Sequence, residues 1–389
     1  MDVPKQPKIA IVGGSLVGPA CELFLRRQGF TDVTTYEALP AAHSQSGGVM
    51  GMHPQVLTLL KSIGVCRQPI TALRDFHTYT YDLDGESVTQ RDMSRVPGVV
   101  VSWQSLHDAF RSLVHVHTRK RVTSLTELGA GWLLDFADGT SAEADLVIGA
   151  DGRSSFLRTL LCPERPMTYN GYTVWRGLTE PVTPASRGWE RYFDIRHGRM
   201  LAITEPIIQT GLSYWELIAN TTAEQYESVS GGSPTKRGFM LPGMGDPVAL
   251  ARVVGQAAHR LPDRFRAAIV GSDIAGIPVN DVPMATRAVF GRPGGPTALL
   301  VGDALQTIRS QAGAGLNQGL RQVAELADSL RAGDLGGWER RVLARLGPVI
   351  ELGRSRAHRN NLGIYEPVRP GFTAAPGRGQ WSDPRWVSA

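Results

Sequence analysis

The sequence predicts an α/β fold with a second, mostly antiparallel sheet set into it. Three observations carry this reading. Short apolar runs at 9–12, 146–150 and 298–301 each lead into a Gly-containing turn, as strands covered on both faces do. Helical periodicity follows the first run over 16–29, and returns from 313 to about 330. From 169 to about 280 the composition shifts to aromatic residues, Pro and Gly with alternating polarity, which reads as antiparallel strands.

The first run, Lys8-Ile-Ala-Ile-Val-Gly-Gly-Ser-Leu-Val-Gly18, organises the chain. Gly13 and Gly14 allow a turn in which no Cβ obstructs a phosphate, and Gly18 lets the following helix pack close to the strand. Ser15 stands where the usual Gly-x-Gly-x-x-Gly pattern has its second Gly; with Leu16 and Val17 it completes the turn. The helix that opens there offers unpaired N–H groups and a positive dipole end to a pyrophosphate. A second strand at 33–36 ends in Glu37, twenty-four residues after Gly13, a suitable distance for an acceptor to an adenosine ribose. Together these features predict a dinucleotide site, with Ala38 beside its acid.

The bulk numbers bound the rest. A chain of 389 residues with 42% hydrophobic and 20% charged residues can bury a large core and divide into two lobes. The net charge of +5 comes from Lys and Arg scattered among 36 acids, with no basic stripe, so no nucleic acid is expected as partner. A mild positive field suits anionic substrates or a phosphorylated cofactor. Cys21, Cys66 and Cys162 are odd in number and widely spaced, which predicts reduced thiols and no metal site. No signal peptide or membrane-length apolar run is seen, so a soluble, cytoplasmic protein is expected.

Beyond Glu37 a linker over 38–46 leads to Gly47-Gly48-Val49-Met50-Gly51-Met52-His53-Pro54, a second Gly-rich stretch, and a helix over 55–65. His53 precedes Pro and is expected to be extended, as a packed residue or a polar group facing a cavity. A hairpin over 76–81 and 87–90 turns at Asp84-Gly85. A short strand at 99–102 precedes Trp103 and a helix over 106–113, and strands at 121–125, 131–136 and 141–144 form a small meander. After the 146–150 strand comes Asp151-Gly152, with Ser154 or Ser155 able to cap the next helix and Arg158 in its first turns. The antiparallel lobe is expected to use strands at 172–178, 190–194, 200–204 and 212–220, with a Gly- and Ser-rich mobile stretch at 228–247. Gly302-Asp303 follows the 298–301 strand, Gly313-Ala314-Gly315-Leu316-Asn317 opens a helix, a last helix covers 338–353, and 366–389 reads as an irregular tail.

Three separated signatures now align: the first turn with Glu37, Asp151-Gly152, and Gly302-Asp303 before a Gly-rich helix start. In this order they resemble the single-component flavin-dependent aromatic hydroxylases, the p-hydroxybenzoate hydroxylase-like group. The segment Tyr169-Asn170-Gly171-Tyr172-Thr173-Val174-Trp175-Arg176-Gly177 resembles a subgroup acting on dihydroxypyridine. The resemblance covers roughly 7–345. It implies a Rossmann-like FAD-binding domain of the glutathione reductase type (1–76, 98–168 and 281–345), a substrate domain (77–97 and 169–280) and a C-terminal segment (346–389).

The resemblance also implies roles. Gly13 to Gly18 would hold the FAD pyrophosphate and Glu37 the ribose. Gly48, Val49 and Gly51 would flank the isoalloxazine and ribityl chain, and Asp303, after Gly302, would bond the ribityl hydroxyls. Backbone N–H groups of Gly313, Ala314, Gly315 and Leu316 would face the flavin pyrimidine, where a helix N-terminus stabilises negative charge. Asp151 and Arg158 would serve FAD and NADPH or NADH, Arg158 by contacting a phosphate or, equally, by pairing with an acid nearby. Departures surround the cofactor: Trp103 replaces an Arg that contacts FAD, Gln306 and Ser310 replace His and Pro, and Gln322 stands near a usual acid.

The implied reaction consumes NAD(P)H and inserts one atom of O2 into a small planar electron-rich aromatic or heteroaromatic ring through a C4a-hydroperoxyflavin. The catalytic candidates are His53, Arg176, Tyr214 and Glu216, the last two spaced to share one face of a strand. Trp175 and Trp215 are candidate aromatic walls or core residues. Alternatives are a sister monooxygenase performing epoxidation, Baeyer–Villiger insertion or rearrangement, a non-oxygenating flavoprotein, and a halogenase, whose Trp-x-Trp-x-Ile-Pro stretch is absent. A monomer or homodimer is expected.

Overall fold

The computed structural model describes residues 6–40, 48–65, 70–85, 87–180, 188–207, 210–236, 239–292 and 294–363. Cys66, most of the 38–46 linker, and the 366–389 tail lie outside them.

The first half contains β1 (Ile9–Val12), α1 (Val17–Arg27), β2 (Val33–Tyr36), β3 (Val49–Met52), α2 (Pro54–Ser62), β4 (Thr71–Asp84) and β5 (Ser87–Ser102). There follow α3 (Trp103–Arg111), β6 (Val116–His117), β7 (Val122–Leu128), β8 (Gly131–Phe136), β9 (Ser141–Ala144), β10 (Leu146–Gly149) and α4 (Phe156–Leu161). The second half opens with β11 (Thr168–Thr179), β12 (Trp189–Asp194), β13 (Arg199–Ile207), β14 (Leu212–Asn220), α5 (Ala223–Ser230), α6 (Pro247–Ala258) and α7 (Asp263–Val270). It ends with β15 (Ala275–Asp281), β16 (Val289–Gly291), β17 (Thr297–Leu300), α8 (Gly302–Leu305), α9 (Gly315–Ala332) and α10 (Leu335–Arg359).

Three sheets result. The first has the order β16-β17-β10-β1-β2-β6, parallel except for the β16 edge. Every residue of β1, β10 and β17 is buried, which is why each reads as a continuous apolar run. The second, eight-stranded sheet has the order β15-β11-β14-β13-β12-β4-β5-β3 and is antiparallel except where β12 meets β4. The third is the expected meander β7-β8-β9. The fold is thus the α/β framework with an inserted, mostly antiparallel sheet.

One expectation changes. The short strands expected at 76–81 and 99–102 belong to β4 and β5, of 14 and 16 residues, whose pairing is interrupted by bulges near Thr71, Arg74 and Thr80. Of the Gly- and Ser-rich stretch at 228–247, only its two ends are helical, closing α5 and opening α6; the described residues between them form turns and loop, with Met240 bridged to Gly276. Thr222 and Gln225 form a capping box on α5, and Asp246 caps α6 ahead of Pro247.

Register determines what each face of the large sheet meets. Trp175, Leu217, Ala202 and Tyr192 lie opposite one another across four strands. They are packed with Trp215 into one apolar cluster against residues of α5, α6 and α7. The adjacent row, Arg176, Glu216, Ile203 and Arg191, therefore faces the other way. On that other face Tyr172, Val174 and Ile218 pack against Ala357 of α10 and Leu362 just beyond it, leaving the Arg176 row beside them.

Candidate active site

Gly13 has φ of +118°, and a Cβ built on it falls 2.2 Å from the main-chain oxygen of Ala150. A methyl on Gly18 would fall 1.8 Å from the Gly13 oxygen, so α1 sits directly on the turn. Gly13→Ala is accordingly expected to cost about 3 kcal/mol or more and to lower flavin retention, read by thermal melting and visible absorbance. Native-like melting with full flavin content would refute this account of the turn.

Glu37 turns its carboxylate onto the same bend. Oε2 accepts from the Gly14 N–H at 2.7 Å, and Oε1 accepts from the Leu39 N–H at 2.8 Å. Leu16 is buried as the residue preceding α1, whereas Ser15 is exposed at the turn. Val17 is the bridge to the distant segments. A methyl built on Gly319 would lie 2.9 Å from it, and one on Gly302 would lie 3.4 Å from it. The Gly13 turn, the Gly302-Asp303 bend and the first turns of α9 thus pack together around Val17.

Asp303 lies deep in the fold yet keeps accessible surface, as a group lining an internal cleft does. Burial raises its pKa, opposed by the charges of Arg153 and Arg158. Among the described residues its carboxylate makes no hydrogen bond, and its Oδ1 lies 3.7 Å from where a Cβ on Gly315 would stand. A ligand with several hydroxyl donors fits this acceptor. The first N–H groups of α9, preceded by Gly313 (φ +67°) and Ala314, open beside it.

Arg158, expected either to contact a phosphate or to pair with an acid, meets main-chain oxygens. It is 2% exposed, and its Nη1 donates to the main-chain oxygens of Asp303 and Ala304, each at 3.1 Å. Its guanidinium is committed to holding the bend on which Asp303 stands. Asp151 caps α4 from its own loop, accepting from Ser155 Oγ at 2.5 Å and the Leu157 N–H at 3.1 Å. Ser155 in turn accepts from the Arg158 N–H.

The departures from the family pattern are structurally satisfied. Gln306, 2% exposed, accepts from Arg165 Nη2 and the Ala285 N–H and donates to the Val282 oxygen. Gln322 Oε1 accepts from the Gly302 N–H at 2.8 Å, so a neutral amide holds the bend. Ser310 begins a short 3-10 turn, Ser310–Ala312. Trp103 stacks on His107 at 4.7 Å, and its main-chain N–H donates to the Gly48 oxygen at 2.9 Å.

Val49 and Gly51 lie in β3, paired with β5. Asn317, which the sequence reading mentioned only as part of a Gly-rich helix start, fastens this strand to α9. Its Nδ2 donates to the Gly51 oxygen and its Oδ1 accepts from the His53 N–H, both at 2.9 Å. His53 is extended, immediately before α2, and burial together with the Arg321 charge lowers its pKa.

The remaining candidates converge. A methyl on Gly48 would lie 3.0 Å from Tyr214 Oη and 3.1 Å from Arg176 Nη1. Tyr214 Oη donates to Glu216 Oε1 at 2.6 Å. Burial raises the Glu216 pKa, with Tyr214 and Arg176 opposing. Arg153, which sequence reasoning missed because nothing marks it off from the capping residues around it, donates to the Pro278 oxygen at 3.0 Å and adds a positive charge near Asp303 and Arg176. Trp175 and Trp215 are not walls of this cleft. Both are fully buried on the opposite face of the sheet, since alternation along β11 and β14 sends them away from Arg176 and Glu216.

The chain is 28% identical over 401 residues to 2,6-dihydroxypyridine 3-monooxygenase of Paenarthrobacter nicotinovorans, covering 95% of this chain and 96% of that protein. The solved structure of 2,6-dihydroxypyridine-3-hydroxylase from Arthrobacter nicotinovorans superposes with a TM-score of 0.79 at 24% identity, covering 96% and 97% of the two chains. Klebsiella pneumoniae HpxO complexed with FAD and uric acid superposes with a TM-score of 0.71 at 21% identity, over 91% of this chain and 88% of that one. No protein-family model matches the chain. The chain is thus similar over most of its length to curated monooxygenases of small aromatic and heteroaromatic rings.

Proposed function

We propose that this chain is an FAD-dependent, NAD(P)H-consuming monooxygenase that inserts one atom of O2 into a small electron-rich aromatic or heteroaromatic ring. The observation that carries the reading is the packing of the Gly13 turn, the Asp303 bend and α9 around Val17, with Arg176 and Tyr214 close to Gly48 and Tyr214 bonded to Glu216. In the proposed division of labour, residues 1–76, 98–168 and 281–345 hold FAD, while 77–97 and 169–280 hold substrate. Gly13 to Gly18 cradle the pyrophosphate, Glu37 and Ala38 lie at the ribose, and Asp303 accepts from the ribityl hydroxyls. Gly48, Val49, Gly51 and Trp103 shape one flank of the ring site. Gly302 shapes the Asp303 bend, and Gly313, Ala314, Gly315 and Leu316 present the helix end. Asp151 and Arg158 support this site from below.

Bound reduced flavin would supply the activated oxygen. The chain's own residues prepare the ring. A ring hydroxyl placed against Tyr214 Oη passes its proton there as the Tyr214 proton moves to Glu216 Oε1, and Arg176 Nη1 stabilises the resulting ring oxyanion. His53, held near neutrality of charge by burial, lies at the Asn317 clamp and shapes the cleft from the other lobe.

No helix among the described residues is long and apolar enough to cross a membrane. Cys21 and Cys162 are buried free thiols, which supports a reducing, cytoplasmic setting.

The test is a screen of dihydroxypyridines, phenols and indoles for substrate-stimulated NADPH or NADH oxidation, with product mass. One oxygen gained per NAD(P)H consumed is expected. Protein that takes up no FAD, or that produces only H2O2 with every ring tested, would overturn the reading.

A further inference from the structure

The row that contains Arg176 and Glu216 continues across the sheet, through Ile203 to Arg191. Residues directly opposite in neighbouring strands point to one face, and the strands are about 4.8 Å apart, so Arg191 stands roughly 10 Å beyond Glu216. Ile203 between them is half-buried. Trp189, two residues before Arg191, belongs to the apolar cluster that includes Tyr214. The face thus runs from a polar reaction centre, over an apolar floor, to a second guanidinium.

Arg191 lies deep in the fold yet retains accessible surface. Its Nη2 donates to Thr80 Oγ1 at 3.2 Å, while its Nε is buried with no partner among the described residues. No ion pair within 4.0 Å joins it to a carboxylate among those residues. Asp92 offers only a more distant negative charge, and the charges of Arg91 and Arg356 add to the positive side. Arg91 is itself paired with Asp82, and Arg356 donates to the Gln311 oxygen. A guanidinium enclosed without a carboxylate is costly unless an anion joins it.

We propose that the substrate carries an oxyanion, such as a carboxylate, separated by an apolar spacer from the ring that is oxidised, and that Arg191 binds it. This rests on the monooxygenase reading of the Arg176–Glu216 end and makes Arg191 a specificity-determining residue. Planar guanidinium geometry suits a two-point contact with a carboxylate.

The test uses the FAD-loaded protein and the hydroxyphenylalkanoate series, from hydroxyphenylacetate to hydroxyphenylhexanoate, each against its methyl ester. Binding is read from the change in flavin absorbance, and product by mass. The longer acids are expected to bind about tenfold or more tightly than their esters. The advantage should vanish in Arg191→Gln, return in part in Arg191→Lys, and be absent for the shortest acid. A series in which no acid outbinds its ester, including one in which nothing binds, overturns the proposal. So does an Arg191→Gln variant that weakens acids and esters equally. Oxygen insertion without acid preference would defeat this inference alone and leave the monooxygenase reading standing; failure to take up FAD would defeat that reading instead.

Discussion

Asp303→Ala is expected to yield a protein that purifies nearly colourless and binds added FAD about a hundredfold more weakly than the parent chain. The expected size follows from losing two charge-assisted hydrogen bonds to ribityl hydroxyls. The side chain is well placed for this role: it keeps accessible surface deep in the fold, has no hydrogen-bond donor among the described residues, and stands on a bend held from beneath by Arg158, Arg165 and Gln322. Those supports contact main-chain atoms, so truncating the side chain leaves the bend itself in place. Melting of the two flavin-free proteins would report on the fold, and fluorescence titration with FAD on the site. Equal affinity with equal melting would remove Asp303 from the cofactor site.

Glu216→Gln should reduce kcat/KM by about 10² to 10⁴-fold, since the proton leaving the ring through Tyr214 would lose its acceptor. The pH dependence has a definite sign. Burial raises the Glu216 pKa above the ordinary glutamate range, and the carboxylate must be ionised to accept a proton. Wild-type kcat/KM should therefore fall on acidification through that raised value, a limb that the Gln variant lacks. Stability should respond oppositely. A carboxyl whose folded pKa is raised contributes stability that is complete below its unfolded pKa and is lost as pH rises through the folded one. Near pH 8 the Gln variant should hence melt no lower than wild type, while at pH 4 that relative gain disappears. An active Gln variant with an unchanged acid limb would exclude Glu216 as the acceptor.

Local chemistry made much of the cofactor half legible. The apolar runs of β1, β10 and β17 are buried on both faces, so their identity did not depend on knowing their neighbours. Tyr214 and Glu216 were legible as a same-face pair, and they are joined by a hydrogen bond. Other residues were not readable. Arg158 looked available to a phosphate because the sequence does not disclose the main-chain oxygens of residues 303 and 304 that it meets. The α5 to α7 helices fell in a region read as an antiparallel lobe, and the structure shows Thr222 and Asp246 capping the first two of them. Arg153 and Arg191 carried no motif at all.

By itself the sequence determined where the chain must bend closely and which short strands must be buried, because a missing Cβ and a run of β-branched side chains act over a few residues. Only the tertiary structure decided which way each alternating strand faces. A strand's two sides are equivalent until its neighbours and covering helices break the symmetry. In this protein α5, α6 and α7 took Trp175 and Trp215, and Arg176, Tyr214 and Glu216 were left to the other face.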